Sequence, residues 1–168
     1  MEMSCRMSCV ALQNSIFFDF EMEEDMQVKD AMTTELKVAH PSMTISQAAK
    51  MMKEGDFGYL PVGDKDHLLG AVTDRDMVVR GLAAGAHSRT SVSKVMSRLI
   101  VYCFDDDDIR EAADLMKREQ IRRLAVLNDQ KRLVGILTLG DIARVGLDKA
   151  ITGDIETRVS QYSVQRLN

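Results

Sequence analysis

Apolar positions in this chain alternate between helical and strand spacing. Ile45, Ala48, Ala49 and Met52 recur at i, i+3, i+4 and i+7, which puts one apolar stripe on a helix from Ile45 to about Glu54. Thr44 stands where an N-cap belongs, and Gly55 and Gly58 bracket the exit. Tyr59 to Val62 and Leu69 to Val72 are short apolar runs around the polar turn Asp64-Lys65-Asp66-His67, a hairpin pattern. Ahead of the helix, Leu36 to Ala39 reads as a short extended segment halted by Pro41. After the hairpin a helix is predicted from about Asp74 to Leu82, stopping near Gly81 or Gly85. The unit is strand, helix, strand, strand, helix.

The same unit then recurs. At an offset of 64 residues Met32 falls on Met96, Ile45 on Ile109, Ala48-Ala49 on Ala112-Ala113, Met52-Lys53 on Met116-Lys117 and Val62 on Val126. One residue is inserted in the second hairpin, after which Leu68 falls on Leu133, Gly70 on Gly135, Thr73 on Thr138 and Asp76 on Asp141. A collinear set with a single loop insertion marks a duplication. The second copy predicts a strand over Ile100–Phe104, a helix over Ile109–Glu119, a hairpin of Leu124–Leu127 with Leu133–Leu137, and a closing helix from Leu139 to about Leu147.

The organisation predicted is an acidic tail over 1–25, a first repeat over 26–85, a linker over 86–91, a second repeat over 92–147 and a C-terminal tail or short helix over 148–168. Residues 1–25 match neither repeat. They read either as a disordered acidic arm or as sequence ahead of a true start at Met26. In the C-terminal segment Ile155, Val159 and Tyr162 have roughly helical spacing.

Charge changes the picture once the tail is set aside. The net charge is −4, but residues 1–25 hold six acids and one base, and the remainder carries 21 bases against 20 acids. Such a near-neutral body lacks the basic field of a nucleic-acid-binding domain. No apolar run approaches the roughly 18–20 residues that span a bilayer, and Cys9-Val10-Ala11-Leu12 is too short for a signal-peptide core. Three cysteines, an odd count in a chain with this much apolar residue, argue against a disulfide framework. A cytoplasmic protein is expected, with no membrane or nucleic-acid partner. Cys103 lies inside an apolar strand pattern, where a buried thiol is expected.

Catalytic and metal signatures are missing from the pattern. There is no phosphate-binding Gly-x-x-x-x-Gly-Lys loop, no His-Glu-x-x-His and no Gly-x-Ser-x-Gly elbow. The run Asp105-Asp106-Asp107-Asp108 lacks the spaced ligands and turn glycine of a calcium loop, and before a helix it suits the helix dipole. His40, His67 and His87 are scattered. No metal, catalytic residue or required cofactor is expected.

Each unit ends in Gly-x-x-Thr-x-x-Asp after an apolar strand: Gly70-Ala71-Val72-Thr73-Asp74-Arg75-Asp76, then Gly135-Ile136-Leu137-Thr138-Leu139-Gly140-Asp141. Each opens with Met32-Thr33 or Met96-Ser97. Two βαββα units built this way resemble the CBS-domain family, from residue 26 to about 147. The stretch from Thr73 to Gly85 is similar to compact stand-alone bacterial CBS-pair proteins of the hypoxia- and stress-response type. The resemblance implies an α+β (α/β) fold, in which two repeats pack through their sheets about a pseudo-twofold axis. It also implies two clefts able to hold AMP, ADP, ATP, S-adenosylmethionine or a related ligand, AMP first among them, and a disk-like homodimer formed through helices.

The motif has a direct chemical reading. Asp76 and Asp141 lie on the first turn of the closing helices, where one carboxylate can accept from both vicinal hydroxyls of a ribose. The Thr73 or Thr138 hydroxyl and the unpaired amides of the helix start suit a phosphate, and Arg75 adds a cation. The resemblance implies that Thr33, Val38, Ala39, Tyr59, Leu60 and Pro61 wall an adenine in the first cleft. The matching second-cleft set is Ser97, Tyr102, Leu124 and Ala125 with Thr138 and Asp141. There Leu139-Gly140 replaces Asp74-Arg75, so charge falls to Arg122, Arg123 and Arg144, and the two clefts are expected to be unequal. Against this stands plain helix capping, because Thr and Asp at a helix start satisfy backbone donors with no ligand present. The functional expectation is a non-enzymatic regulatory module that binds an adenosine nucleotide and signals to an unknown target protein. The alternative is a ligand-free CBS-pair homodimer acting as an interaction adaptor; an enzyme of unrecognised type is a third reading.

Overall fold

The structure is a computed structural model that describes residues 26–65, 67–146, 153–154 and 156–158. The expectations for residues 1–25, and for Ile155, Val159 and Tyr162, lie outside the described residues. Helix α1 (Val28–Ala31) is followed by α2 (Ile45–Gly55), strands β1 (Tyr59–Asp64) and β2 (His67–Thr73), and a short α3 (Asp74–Asp76). The second half holds β3 (Tyr102–Phe104), α4 (Ile109–Glu119), β4 (Arg123–Leu127), β5 (Leu133–Thr138) and α5 (Leu139–Arg144).

The duplication is visible in the caps. Thr44 Oγ1 accepts from the Gln47 amide at 3.2 Å while Gln47 Oε1 accepts from the Thr44 amide at 3.0 Å, a reciprocal box that starts α2. At the equivalent place Asp108 Oδ1 accepts from the Arg110 amide at 2.6 Å and starts α4. Both helices end on left-handed residues that are not glycine, Asp56 (φ 52°) and Gln120 (φ 56°). Gly55 is the last helical residue rather than the exit.

Strands β1 and β2 pair antiparallel, with the register shifting between Val62 and Gly63. The second repeat adds β3 parallel to β4, and β4 pairs antiparallel with β5 with its own shift between Val126 and Leu127. In the first repeat the predicted strand over Leu36–Ala39 shrinks to one parallel bridge, Ala39 to Val62. Three residues of Ile100–Phe104 remain as β3. The helix predicted over Asp74–Leu82 is regular for one turn only. It continues as a π-helical turn over Met77–Gly81, where the Leu82 amide reaches back to the Met77 carbonyl, and then as a 3-10 turn over Leu82–Ala84.

Each repeat's opening segment crosses to the other repeat. Thr33 exchanges both backbone hydrogen bonds with Ile136 at 2.9 and 3.0 Å, and Ser97 exchanges both with Ala71 at 2.8 and 2.9 Å. Val28 and Ala31 are buried in the core of Ile109, Met116, Leu124, Leu137 and Ile142, whereas Val92 and Val95 are buried with Ala48, Leu60, Val62 and Val72. The motif glycines lie at these crossings. A Cβ on Gly135 would stand 2.3 Å from Met32 Sδ, and one on Gly70 would stand 2.7 Å from the Ser97 carbonyl oxygen. The glycine of one unit and the methionine opening of the other thus form one packing feature. A third apolar cluster joins the sheets: Ala125, Leu127 and Leu133 with Leu36, Val38, Leu68, Ile100 and Phe104. No helix among the described residues is long and apolar enough to cross a membrane.

Candidate functional site

Both motifs end in the same local structure. The chain leaves an antiparallel strand at Thr73 or Thr138 in extended conformation and turns at once into a helix. In the first copy Asp76 Oδ2 accepts from the Thr73 amide (3.0 Å) and hydroxyl (2.7 Å), while Thr73 Oγ1 accepts from the Asp76 amide (3.0 Å). In the second, Asp141 Oδ2 accepts from the Thr138 amide (2.8 Å) and hydroxyl (2.7 Å), while Thr138 Oγ1 accepts from the Asp141 amide (3.1 Å). The capping reading is therefore realised in both copies. The free carboxylate oxygens face arginines. Asp76 Oδ1 is 3.5 Å from Arg80 Nε, and Asp141 Oδ1 pairs with Arg144 Nη2. A ribose at either site has to compete with that arginine.

Capping does not seal the second cleft. A cavity of about 320 Å³ lies between the repeats, lined by Thr33, Lys37, Phe57 and Tyr59 from the first and by Arg123, Ile136 and Thr138 from the second. Adjoining it at Arg123 and Thr138 is a cavity of about 630 Å³ lined by Arg122, Arg123, Leu139, Gly140, Gly153 and Glu156. The smaller cavity sets the apolar Leu36, Phe57, Tyr59 and Ile136 beside the charged Glu35 and Lys37; the larger carries Arg122, Arg123 and Glu156 at a helix start. Burial pushes the Tyr59 phenol up to about 12, and the Arg123 charge opposes that rise. Tyr59 and Arg123 occupy equivalent places in the two repeats.

A CBS domain model matches the chain twice, at residues 28–81 and 92–148. The chain belongs to the CBS-domain family. It is 39% identical over 137 residues to the CBS domain-containing protein YhcV of Bacillus subtilis, covering 82% of this chain and 97% of that protein. It is 40% identical over 118 residues to Hypoxic response protein 1 of Mycobacterium tuberculosis, covering 69% and 82%. Among solved structures it is similar to the CBS pair of MJ0100 in complex with 5′-methylthioadenosine and S-adenosyl-L-methionine (TM-score 0.64, 28% identity, 71% of this chain and 98% of that one). It is likewise similar to CBSX2 in complex with AMP (TM-score 0.64, 29% identity, 72% and 96%). The α+β fold of two βαββα units is that of a CBS pair.

Within this CBS pair the crossing of the openings redistributes the predicted site residues. Thr33, assigned by sequence to the cleft of Thr73 and Asp76, lies with Ile136 and Thr138 instead. Ser97, assigned to the cleft of Thr138 and Asp141, lies beside Ala71 and accepts from Arg80 Nη1 at 2.8 Å. Both assignments are corrected by one cause: a periodic sequence cannot show that two openings have changed places. Tyr59 likewise lines the cavity that contains Thr138. Ala39, Leu60, Leu124 and Ala125 are wholly buried, and Pro61 is buried with them. Val38 packs in the cluster between the sheets. Tyr102 is half exposed and meets Phe104 edge-on, ring centroids 5.7 Å apart.

Arg75 is exposed, and its amide bonds to Asp74 Oδ1 at 2.7 Å. The cation beside Asp76 is Arg80, which sequence reasoning missed. Its signal was the i, i+4 spacing from Asp76. In the second repeat the partner of Asp141 is at i+3, because α5 is regular there and the first repeat has a π turn. Phe57 and Lys37 were also missed as lining residues. Cys103 is buried, and burial together with the Asp107 charge pushes its thiol up to about 12.

Proposed function

We propose that this CBS pair is a regulatory module that binds an adenosine-type nucleotide, AMP first among the candidates, in the cleft of Thr138 and Asp141. The observation that carries the reading is the pair of adjoining cavities at Thr138. The aromatic and aliphatic side chains of Phe57, Tyr59 and Ile136 suit the faces of a base, with Glu35 and Lys37 at hand for its polar edge. The cationic side holding Arg122 and Arg123 suits a phosphate. Asp141 lines neither cavity and is buried under its bonds to Thr138 and Arg144; freed from Arg144, it would offer an acceptor for ribose hydroxyls. Solved relatives in complex with AMP, 5′-methylthioadenosine and S-adenosyl-L-methionine support this ligand class. The motif of Thr73, Asp76 and Arg80 forms a second, unequal site. Occupancy shifts the balance between arrangements of the repeats by as much as the ligand's affinities for them differ. The role is regulatory rather than catalytic, in the cytoplasm, with a target protein reading the state.

The test is titration calorimetry of the full chain with AMP, ADP, ATP, NAD and S-adenosylmethionine, repeated on Arg123→Ala. We expect one adenosine compound to bind and Arg123→Ala to weaken it about tenfold or more, the range for a charge-assisted phosphate contact. If none binds, the nucleotide reading fails. The adaptor reading then takes its place, favoured by both carboxylates being engaged internally. Val78, Val79 and Leu82 are each more than half exposed along one helical stretch and would form the face shared with a second copy. Light scattering of the free protein checks that dimer: a molar mass at the 18.8 kDa of one chain excludes it.

A further inference from the structure

One side chain joins the first motif to the other repeat. Arg80 Nε stands 3.5 Å from Asp76 Oδ1, and Arg80 Nη1 donates to Ser97 Oγ at 2.8 Å. A guanidinium carries several donors in one planar fork, so it can serve two acceptors at once. Both acceptors are themselves held by β2. Asp76 Oδ2 accepts from the Thr73 amide and hydroxyl, and Ser97 exchanges both backbone hydrogen bonds with Ala71. Thr73 and Ala71 lie two residues apart on that strand, so these contacts close a ring with Arg80 as its clasp.

The seat of Ser97 is tight. A Cβ on Gly70 would stand 2.7 Å from the Ser97 carbonyl oxygen and 2.8 Å from Met96 Sδ. Just ahead, Val92 and Val95 are buried in the first repeat's core, and β3 begins soon after, at Tyr102. Arg80 itself lies in the π turn over Met77–Gly81, and single π turns inside helices recur at functional sites. Its ion pair with Asp76 is long and the Arg80 side chain is 52% exposed, so another hydrogen-bonding group can take Oδ1 from it.

We propose that Arg80 is a positioning residue through which the opening of the second repeat responds to what Asp76 holds. The guanidinium bridges Asp76 and Ser97. A ligand hydroxyl that takes Asp76 Oδ1 removes one anchor of Arg80, and Ser97 is then held less firmly on β2. Occupancy of the first motif is thereby passed to the segment that leads from the first repeat's core into β3. This deepens the reading of Thr73 and Asp76 as a second site and rests on it for the nature of the ligand; the clasp itself needs none.

Hydrogen exchange on the full chain without ligand decides it, with Asp76→Asn as the surrogate for a carboxylate drawn off its arginine. The readout is the exchange rate of the Ser97 and Ala71 amides relative to those of Thr33 and Ile136, which share the same pair of bonds at the other crossing. Asp76→Asn should speed the first pair about threefold relative to the second, within the range of an exposed ion pair. Arg80→Met alone should give a rise of similar size. Added to Arg80→Met or to Ser97→Ala, Asp76→Asn should change the ratio no further. A merely structural loss of the Asp76 cap would still speed exchange in both backgrounds, and that result overturns the clasp. So does an unchanged ratio in Asp76→Asn or in Arg80→Met. Should Asp76→Asn not fold, Arg80→Met combined with Ser97→Ala carries the test: a combined rise no larger than either alone supports the clasp, and an additive one overturns it. Because no ligand is added, failure of every adenosine compound to bind in calorimetry removes the nucleotide reading and leaves the clasp standing, whereas a failed clasp leaves the second-cleft reading untouched.

Discussion

Replacing Asp141 is the obvious way to probe the cleft, and the structure says what it costs before any ligand is added. The residue is 5% exposed, and its Oδ2 accepts two hydrogen bonds from Thr138 while Oδ1 pairs with Arg144. Asp141→Ala removes both accepted bonds. Each is charge-assisted, worth about 1.5–3 kcal/mol in a buried setting. Thr138 is half-buried, so water recovers part of this, and the cap as a whole is worth about 0.5–2 kcal/mol. The Arg144 side chain is 67% exposed, so its ion pair adds about 0–1 kcal/mol. The sum is a loss of about 0.5–3 kcal/mol, equivalent to a fall in Tm of roughly 2–10 °C for a body of this size. Asp141→Asn retains one acceptor oxygen for the Thr138 donors, and we expect about 1 kcal/mol, or roughly 3 °C. Calorimetric melting of native, Ala and Asn forms without ligand checks the order. A nucleotide at about a hundred times its Kd adds about 2.7 kcal/mol to a form that binds it, similar in size to the structural loss. Binding must therefore be read as the ligand-induced shift within each variant, never as the melting point alone. If Asp141→Ala melts within about 2 °C of the native chain, the capping box contributes nothing to stability and Asp141 has no structural role to set against a ligand.

Two further outcomes test other parts of the structure. Gly70→Ala and Gly135→Ala probe the crossing of the openings: at Gly70 the new Cβ meets the Ser97 carbonyl oxygen at 2.7 Å, whereas at Gly135 its nearest neighbour is the end of Met32, with the Thr33 carbonyl oxygen at 3.3 Å. Overpacking against backbone should cost about 2–3 kcal/mol at Gly70 and about 1 kcal/mol at Gly135; a urea-melt series in which Met32→Ala fails to relieve Gly135→Ala would mean the openings are not exchanged. Alkaline pH should destabilise the fold, because Cys103 and Tyr59 both ionise near 12 when folded and at about 9 and 10 when exposed. The folded state then holds more protons than the unfolded, so their contribution is complete below pH 9 and is lost between pH 9 and 12, about 1.4 kcal/mol per pH unit for each group while its gap lasts. Denaturant melts at pH 8, 10 and 11 check this, and Cys103→Ala should flatten the early part of the fall.

Much of this protein was legible along the chain. Ile45, Ala48 and Met52 repeat as Ile109, Ala112 and Met116 because a half-buried helix must carry an apolar stripe, and the stripe is local. Thr73 with Asp76 and Thr138 with Asp141 announce the two helix starts for the same reason, since a cap joins residues three apart. The pairing of Asp76 with Arg80 was not read from the chain, where Arg75 was expected at a phosphate, because a π turn changes which residue faces back along the helix. Only the tertiary structure decided that Thr33 pairs with Ile136 and lines a cavity with Thr138, that Ser97 pairs with Ala71, and that Gly153 and Glu156 line the adjoining cavity. Periodicity and capping depend on neighbours within one turn, so they are written in the order of residues. Which of two near-identical units an opening segment joins depends on long-range packing, here Met32 over Gly135 and Met96 over Gly70, and two equal partners leave no mark of the choice in the sequence.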